Sequence, residues 1–224
     1  MANFKTHVAI AAIASTGVAA FIAGLGTVTY GQAAVLAGLG LLGGILPDID
    51  SDNSNAIDIV FNLVSTFFTG IAFLMTYEAY HPLVALIACV VTFIVVRFPV
   101  QWIFAKFTVH RGAFHSILAA FMMGLLFTVV ADIMFETGEV IAWFAGLFVT
   151  LGYLVHLLLD EIYSVDFSNV RIKKSFGTAV KPLSMEYPVG SVVFAALAGG
   201  LYYLTPDIGP FIQLALDPTS VRAL

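Results

Sequence analysis

Long apolar segments, broken only by brief polar clusters, constrain this chain more than anything else in it. They run over about residues 7–25, 33–46, 59–77, 83–96, 113–134, 140–159 and 189–204. A membrane-spanning helix needs about 20 such residues. The chain has 224 residues, 60% of them hydrophobic and 10% charged. A soluble domain carries about 25% charged residues, so this one lacks the charge to clothe a water-facing surface. The expected fold is an all-α polytopic membrane protein of about six to seven transmembrane helices, forming a single domain over residues 1–224. Segments 33–46 and 83–96 are short for a span, so either they extend into the interface or one of them re-enters. Segment 206–224, with Pro206, Pro210 and Pro218, either spans, re-enters or lies at the interface. The start of the chain carries Lys5 and no clear small-residue cleavage site, and reads as a first spanning helix rather than a removed signal.

Lysine and arginine orient the spans. Lys5 precedes the first segment, Arg97, Lys106 and Arg111 follow the fourth, and Arg171, Lys173, Lys174 and Lys181 follow the sixth. Alternating topology puts these regions and residues 48–58 on one side. The opposite loops, 26–32, 78–82 and 135–139, contain no Lys or Arg. Positive residues mark the cytoplasmic side, so the N-terminus is expected there, in the inner membrane. Residues 162–187 form a cytoplasmic loop too long for a simple connector, and are expected to pack over a site as a lid. A net charge of −5 without a basic tract excludes a nucleic-acid partner. The single cysteine, Cys89, lies in an apolar run and excludes a disulfide framework or a thiolate zinc site.

Five polar clusters fall on the same predicted face: His7, Pro47-Asp48-Ile49-Asp50, His110-Arg111-Gly112, His115-Ser116, and His156 with Asp160. His156 and Asp160 are four apart and share one helix face. Gly112 separates His110, in the loop, from His115, expected in the first turn of the next helix. The glycines at 38, 40, 43 and 44 permit close helix approach before Pro47 ends the helix at the two aspartates. Imidazoles mixed with carboxylates suit zinc, manganese or iron better than calcium or magnesium, which prefer all-oxygen shells. His7, Asp48, Asp50, His110, His115, His156 and Asp160 are the candidate metal ligands. Seven are too many for one tetrahedral ion and enough for two or three, zinc before manganese or iron, sharing a carboxylate. Arg111 suits a phosphate clamp or equally a positive-side anchor.

Each member also has a plainer role. His7 alone could be a polar helix end, the Asp48–Asp50 pair could cap the next helix as Ser51 or Ser54 could, and His156 could simply bond Asp160. A histidine–carboxylate pair one turn inside an apolar helix is nevertheless costly without a purpose. His81 and Asp132 lie toward the charge-poor side and are left out. Glu161, Ser164 and Asp166 read as loop solvation.

The order His7, then Leu46-Pro47-Asp48-Ile49-Asp50, then His110-Arg111-Gly112-Ala113-Phe114-His115-Ser116, then Gly152-Tyr153-Leu154-Val155-His156-Leu157-Leu158-Leu159-Asp160 resembles the YdjM-like family. These are inner-membrane proteins described as metal-dependent hydrolases, some controlled by the LexA damage-response repressor. The resemblance covers about residues 7–185. The pattern is also distantly similar to zinc-dependent phospholipase C and single-strand nucleases, which hold three zinc ions. That likeness implies His7, Asp48, His110, His115, His156 and Asp160 as ligands, with Asp160 as a bridge. The second HxxxD/E pair of those enzymes is absent from this sequence, which favours two ions over three.

The resulting expectation is a membrane-bound hydrolase acting on a phosphoester of a lipid head group at the cytoplasmic interface. Asp160 and Arg111 would be its catalytic residues, with Lys181 a further phosphate contact. Two rivals come from other classes. A metal or proton transporter would place its ionisable groups near the midplane within repeats, and no repeat is visible. A scaffold would use the metal only to staple helices.

Overall fold

A computed structural model describes residues 3–51, 54–108, 112–166, 171–172 and 180–216. Among these the protein is helical, apart from a two-residue antiparallel ladder pairing Val165–Asp166 (β1) with Arg171–Ile172 (β2). Six helical stretches are long and apolar enough to cross a membrane, or seven if a bent pair counts as one span. The chain is thus an all-α polytopic membrane protein. Its fold divides into two compact units, Met1–Pro47 with Gly112–Leu224, and Asp48–Arg111.

The first unit holds α1 (Phe4–Gly24), α2 (Tyr30–Gly43), α6 (Ile117–Phe135), α7 (Glu139–Ile162), α8 (Pro188–Leu204) and α9 (Gly209–Leu216). Side chains start α1, α2 and α6, where free amides need acceptors. Asn3 accepts from Thr6 N, Thr29 and Gln32 form a reciprocal box, and Ser116 Oγ accepts from Ala119 N. Helix α2 stops at Gly43, earlier than the apolar pattern implied. The ring of Pro47 would clash with the Gly43 carbonyl four residues back, so the chain tightens into a 3-10 turn, Leu46–Asp50. Together these make a 21-residue span, Tyr30–Asp50, which resolves the shortness of segment 33–46.

Helix α7 is the hub of this unit. A Cβ on Gly43 would strike the Val149 backbone, and one on Gly152 would strike the Gly40 carbonyl. A Cβ on Gly44 would overlap the Ala11 side chain, and one on Gly124 or Gly146 would overlap Thr150 or Thr128 respectively. Lipid tails are as apolar as leucine, so contact packing of small residues, rather than water exclusion, holds such helices together. Gly38 meets nothing within 4 Å and takes no part, contrary to its place in the expected series. A buried cluster that includes Ala19, Leu36, Ala142, Phe144, Phe148 and Leu214 completes the interior.

The second unit holds α3 (Asn55–Thr76), α4 (Pro82–Val95) and α5 (Gln101–Phe107), the last two joined by a π turn, Val96–Val100. Ser54 caps α3 by accepting from Ile57 N, and His81 Nδ1 caps α4 by accepting from Leu83 N. Pro99 has no amide to donate and is absorbed in the widened turn. Residues 82–107 therefore run as one 26-residue apolar helical stretch. Arg97 and Lys106, expected in a loop, are helical instead. Arg97 is satisfied there by Asp58 Oδ1 at 2.8 Å, Asn62 Oδ1 at 2.7 Å and the Gln101 side chain. Lys106 Nζ lies over the Trp102 ring, 5.1 Å from its centroid.

Candidate metal centre

Three helix ends of the first unit bring His7, His115, His156 and Asp160 together, and each is at most 3% exposed. His7 occupies the first turn of α1, while His156 and Asp160 occupy the last two turns of α7. Their approach follows from the small residues one turn away. Ala11, four after His7, abuts Gly44, and Gly152, four before His156, abuts Gly40. With backbones this close, the His7 and His156 rings stack with centroids 3.8 Å apart and planes 13° from parallel.

His115 sits just before the cap of α6 rather than within its first turn, because Ser116 is the capping residue. Its ring meets His156 edge-on, with centroids 5.8 Å apart. The turn carrying it is tied down twice. The buried Tyr153 hydroxyl, on α7, donates to the Phe114 carbonyl at 2.5 Å. The amides of Ile117 and Leu118 donate to the Lys181 and Pro182 carbonyls at 2.9 and 3.2 Å. The end of the 162–187 loop is thereby fixed to the start of α6, beside His115.

All three imidazoles face one carboxylate. Asp160 Oδ1 is 3.2 Å from His7 Nε2, and Asp160 Oδ2 is 3.8 Å from His115 Nε2 and 4.0 Å from His156 Nε2. Metal–ligand bonds of about 2.0–2.2 Å separate two ligands of one ion by about 3–4.4 Å, according to the angle between them. The three separations fall in that interval. One ligand atom each from His7, His156 and Asp160 lie within 4.8 Å of one another, so the group could hold a metal ion. Three nitrogens and a carboxylate suit a transition metal.

The tautomer of His156 is also fixed. Its Nδ1 lies 2.8 Å from the Gly44 carbonyl, and a carbonyl can only accept. Nδ1 therefore carries the hydrogen, which leaves the Nε2 lone pair of the neutral ring on the carboxylate side. Such an outer hydrogen bond orients metal-binding histidines and raises their basicity. The Gly44 carbonyl is available because α2 has just ended. The His7 Nδ1 is buried with no hydrogen-bond partner among the described residues.

His110 and Arg111 lie outside the described residues, as do parts of the 162–187 loop. Asp48 and Asp50 begin the second unit, in the 3-10 turn. There the Asp48 carbonyl accepts from Ser51 N at 3.2 Å and Ser54 Oγ at 2.9 Å. His81 is the cap of α4, in keeping with its omission. Gly44, Tyr153 and the carbonyls of Lys181 and Pro182 gave no chemical signal of their own. Backbone acceptors have no side-chain signature, and Tyr153 stood out only by its place beside the HxxxD pair.

No curated protein and no solved structure matches the chain. The family model described as YdjM inner membrane protein matches residues 1–172, more than half of the sequence and all four clustered side chains. The chain belongs to this family of inner-membrane proteins.

Proposed function

We propose that the protein is a membrane-embedded, metal-dependent hydrolase that cleaves a phosphoester of a lipid head group at the cytoplasmic face. The observation that carries this reading is the convergence of His7, His115 and His156 on the Asp160 carboxylate at one end of a buried helix cluster. Ionisable groups within a membrane protein are costly and belong to functional sites by default. Their position at helix ends, within reach of a head group, favours surface chemistry over transport through the midplane.

In this reading His7, His115, His156 and Asp160 hold the cation, with Asp160 as the bridge if two ions bind. A divalent transition metal there would polarise a phosphoryl oxygen and make water acidic enough to ionise near neutral pH. The Gly44 carbonyl keeps His156 in its coordinating tautomer, and Tyr153 with the Lys181–Pro182 arm holds His115 in place. Arg111 and the Lys181 side chain steady the phosphate by charge.

The test is elemental analysis of purified full-length protein, combined with hydrolysis assays on a panel of phospholipids and soluble phosphodiesters. Bound zinc, manganese or iron is expected, with one ion if the four clustered residues are the whole set and two if Asp48, Asp50 and His110 contribute. Asp160→Ala should abolish metal retention and lower hydrolysis by at least about 100-fold, since loss of an outer partner alone costs about 10–100-fold. Metal-free protein whose thermal midpoint is indifferent to chelator and to added zinc would sink the reading. Metal flux in proteoliposomes, lost in His156→Ala and unaccompanied by hydrolysis, would replace it with transport.

A further inference from the structure

The far end of α7 carries a second constellation, unrelated to the metal centre. Trp143 lies one turn into the helix, thirteen residues before His156. At 1.5 Å per residue it stands about 20 Å away along the axis. Here α8 and α9 meet at 86° across the break 205–208. The corner borders an open cavity of about 310 Å³, whose lining includes Trp143, Tyr202, Tyr203 and Asp207. Ligand sites begin at about that size.

The lining is both aromatic and anionic. The Trp143 indole is pinned, because Nε1 donates to the Pro206 carbonyl at 3.3 Å. Tyr202 and Tyr203 are 63% and 89% exposed, so their faces are open to an arriving group. Asp207 is held at the start of α9 by accepting from Gly209 N at 2.9 Å, and it is exposed. No Lys or Arg falls between residues 112 and 170 or between 182 and 221, so α6, α7, α8 and α9 supply no basic side chain to answer that carboxylate. Faces of Trp and Tyr attract a large, weakly hydrated cation through the ring quadrupole. A carboxylate among them favours a cation over a neutral guest of the same shape. A small metal ion would instead demand an oxygen shell that one carboxylate cannot provide.

We propose that this cavity binds an organic ammonium group, the amine or quaternary ammonium of a small molecule or of a zwitterionic lipid head group. The rings contact the substituted nitrogen and Asp207 supplies the counter-charge. The arrangement does not depend on the metal centre or on hydrolysis.

Replacing Trp102 by Phe leaves Trp143 as the sole indole, a fluorescence reporter inside the cavity. Full-length protein in phosphatidylglycerol nanodiscs, which offer no amine, is titrated with choline, with ethanolamine and with 3,3-dimethylbutan-1-ol, the neutral isostere of choline. A saturable change is expected with the ammonium compounds and not with the alcohol. Asp207→Asn keeps an oxygen to accept from Gly209 N, so the corner should persist while the apparent Kd rises by at least about fivefold. Tyr202→Leu, at an exposed position, should weaken binding by about two- to fivefold, the range of one exposed cation–π contact. Repeating the titration in phosphatidylethanolamine discs separates the sources. A head group as natural occupant blocks the free amine, and a soluble amine as occupant leaves the curve unchanged. An equal response to the alcohol, no saturable response in phosphatidylglycerol, or an unaltered Kd in Asp207→Asn would each overturn the proposal and leave the aromatic residues as interfacial anchors.

Discussion

His156 performs two separable jobs with its two nitrogens. Nδ1 donates to the Gly44 carbonyl, while Nε2 faces Asp160. His156→Asn places an amide N–H near the Nδ1 position and nothing at Nε2. Metal-free His156→Asn should therefore unfold within about 1 kcal/mol of the parent, the net worth of one hydrogen bond. Its metal affinity should fall by more than about 100-fold, beyond the cost of losing an outer partner. His156→Gln reverses the arrangement, giving up the Gly44 bond. Thermal unfolding with and without zinc reads both variants, and equal metal retention in His156→Asn would show that Nε2 is not a ligand. Histidine and aspartate advertise this chemistry in the sequence, which is why His7, His115, His156 and Asp160 were legible as candidates. The Gly44 carbonyl was not, because any residue carries one and only the chain path aims it.

At the scale of elements, glycines that look alike in sequence divide by what faces them. Gly43 and Gly152 have backbone where a Cβ would go, and backbone cannot rotate away. Gly43→Ala and Gly152→Ala should each destabilise the protein by about 1–3 kcal/mol, the usual cost of overpacking. Because Gly152 stands one turn before His156, its variant should also loosen the His7–His156 stack and weaken metal binding. Gly38→Ala, with open space around it, should be neutral or stabilising by up to about 1 kcal/mol, the helix preference of alanine over glycine. Thermal midpoints in detergent decide the matter, and similar behaviour of all three variants would contradict the packing described. The sequence displayed the glycine run but not its partners, which are Ala11 and Ser15 on α1 and, more than 100 residues away, Val149 and Gly152 on α7. It also hid the full length of the fourth span, since Arg97, Pro99 and Lys106 imitate a loop. A π turn accommodates the proline, and Asp58, 39 residues earlier, answers the arginine.

Over the whole molecule, apolar runs alone disclosed an all-α membrane protein, because spanning length and exclusion of charge are strong requirements. Sidedness rests on a different physical basis, the retention of Lys and Arg on the cytoplasmic side. The structure's spans keep the even parity which that argument used, while Arg97 and Lys106 pass from the loop into the fourth span. Six crossings from Phe4 to Ile162 return the chain to the side where it began, so His7 and Asp160 share a face. The parity also places residues 136–138, between α6 and α7, on the other side. With Cys89→Ser as background, Glu139→Cys and Met185→Cys give one reporter for each face. Both positions are exposed, Met185 at 82%. In sealed right-side-out vesicles a membrane-impermeant maleimide should label Glu139→Cys, and should reach Met185→Cys only after permeabilisation. The reverse pattern would turn the metal centre to the outer face and exclude a head group of the cytoplasmic leaflet as its substrate. Labelling of both in sealed vesicles would instead mean that an even number of segments, none or two, crosses between residue 139 and Met185, and would refute α7 as the single span between them.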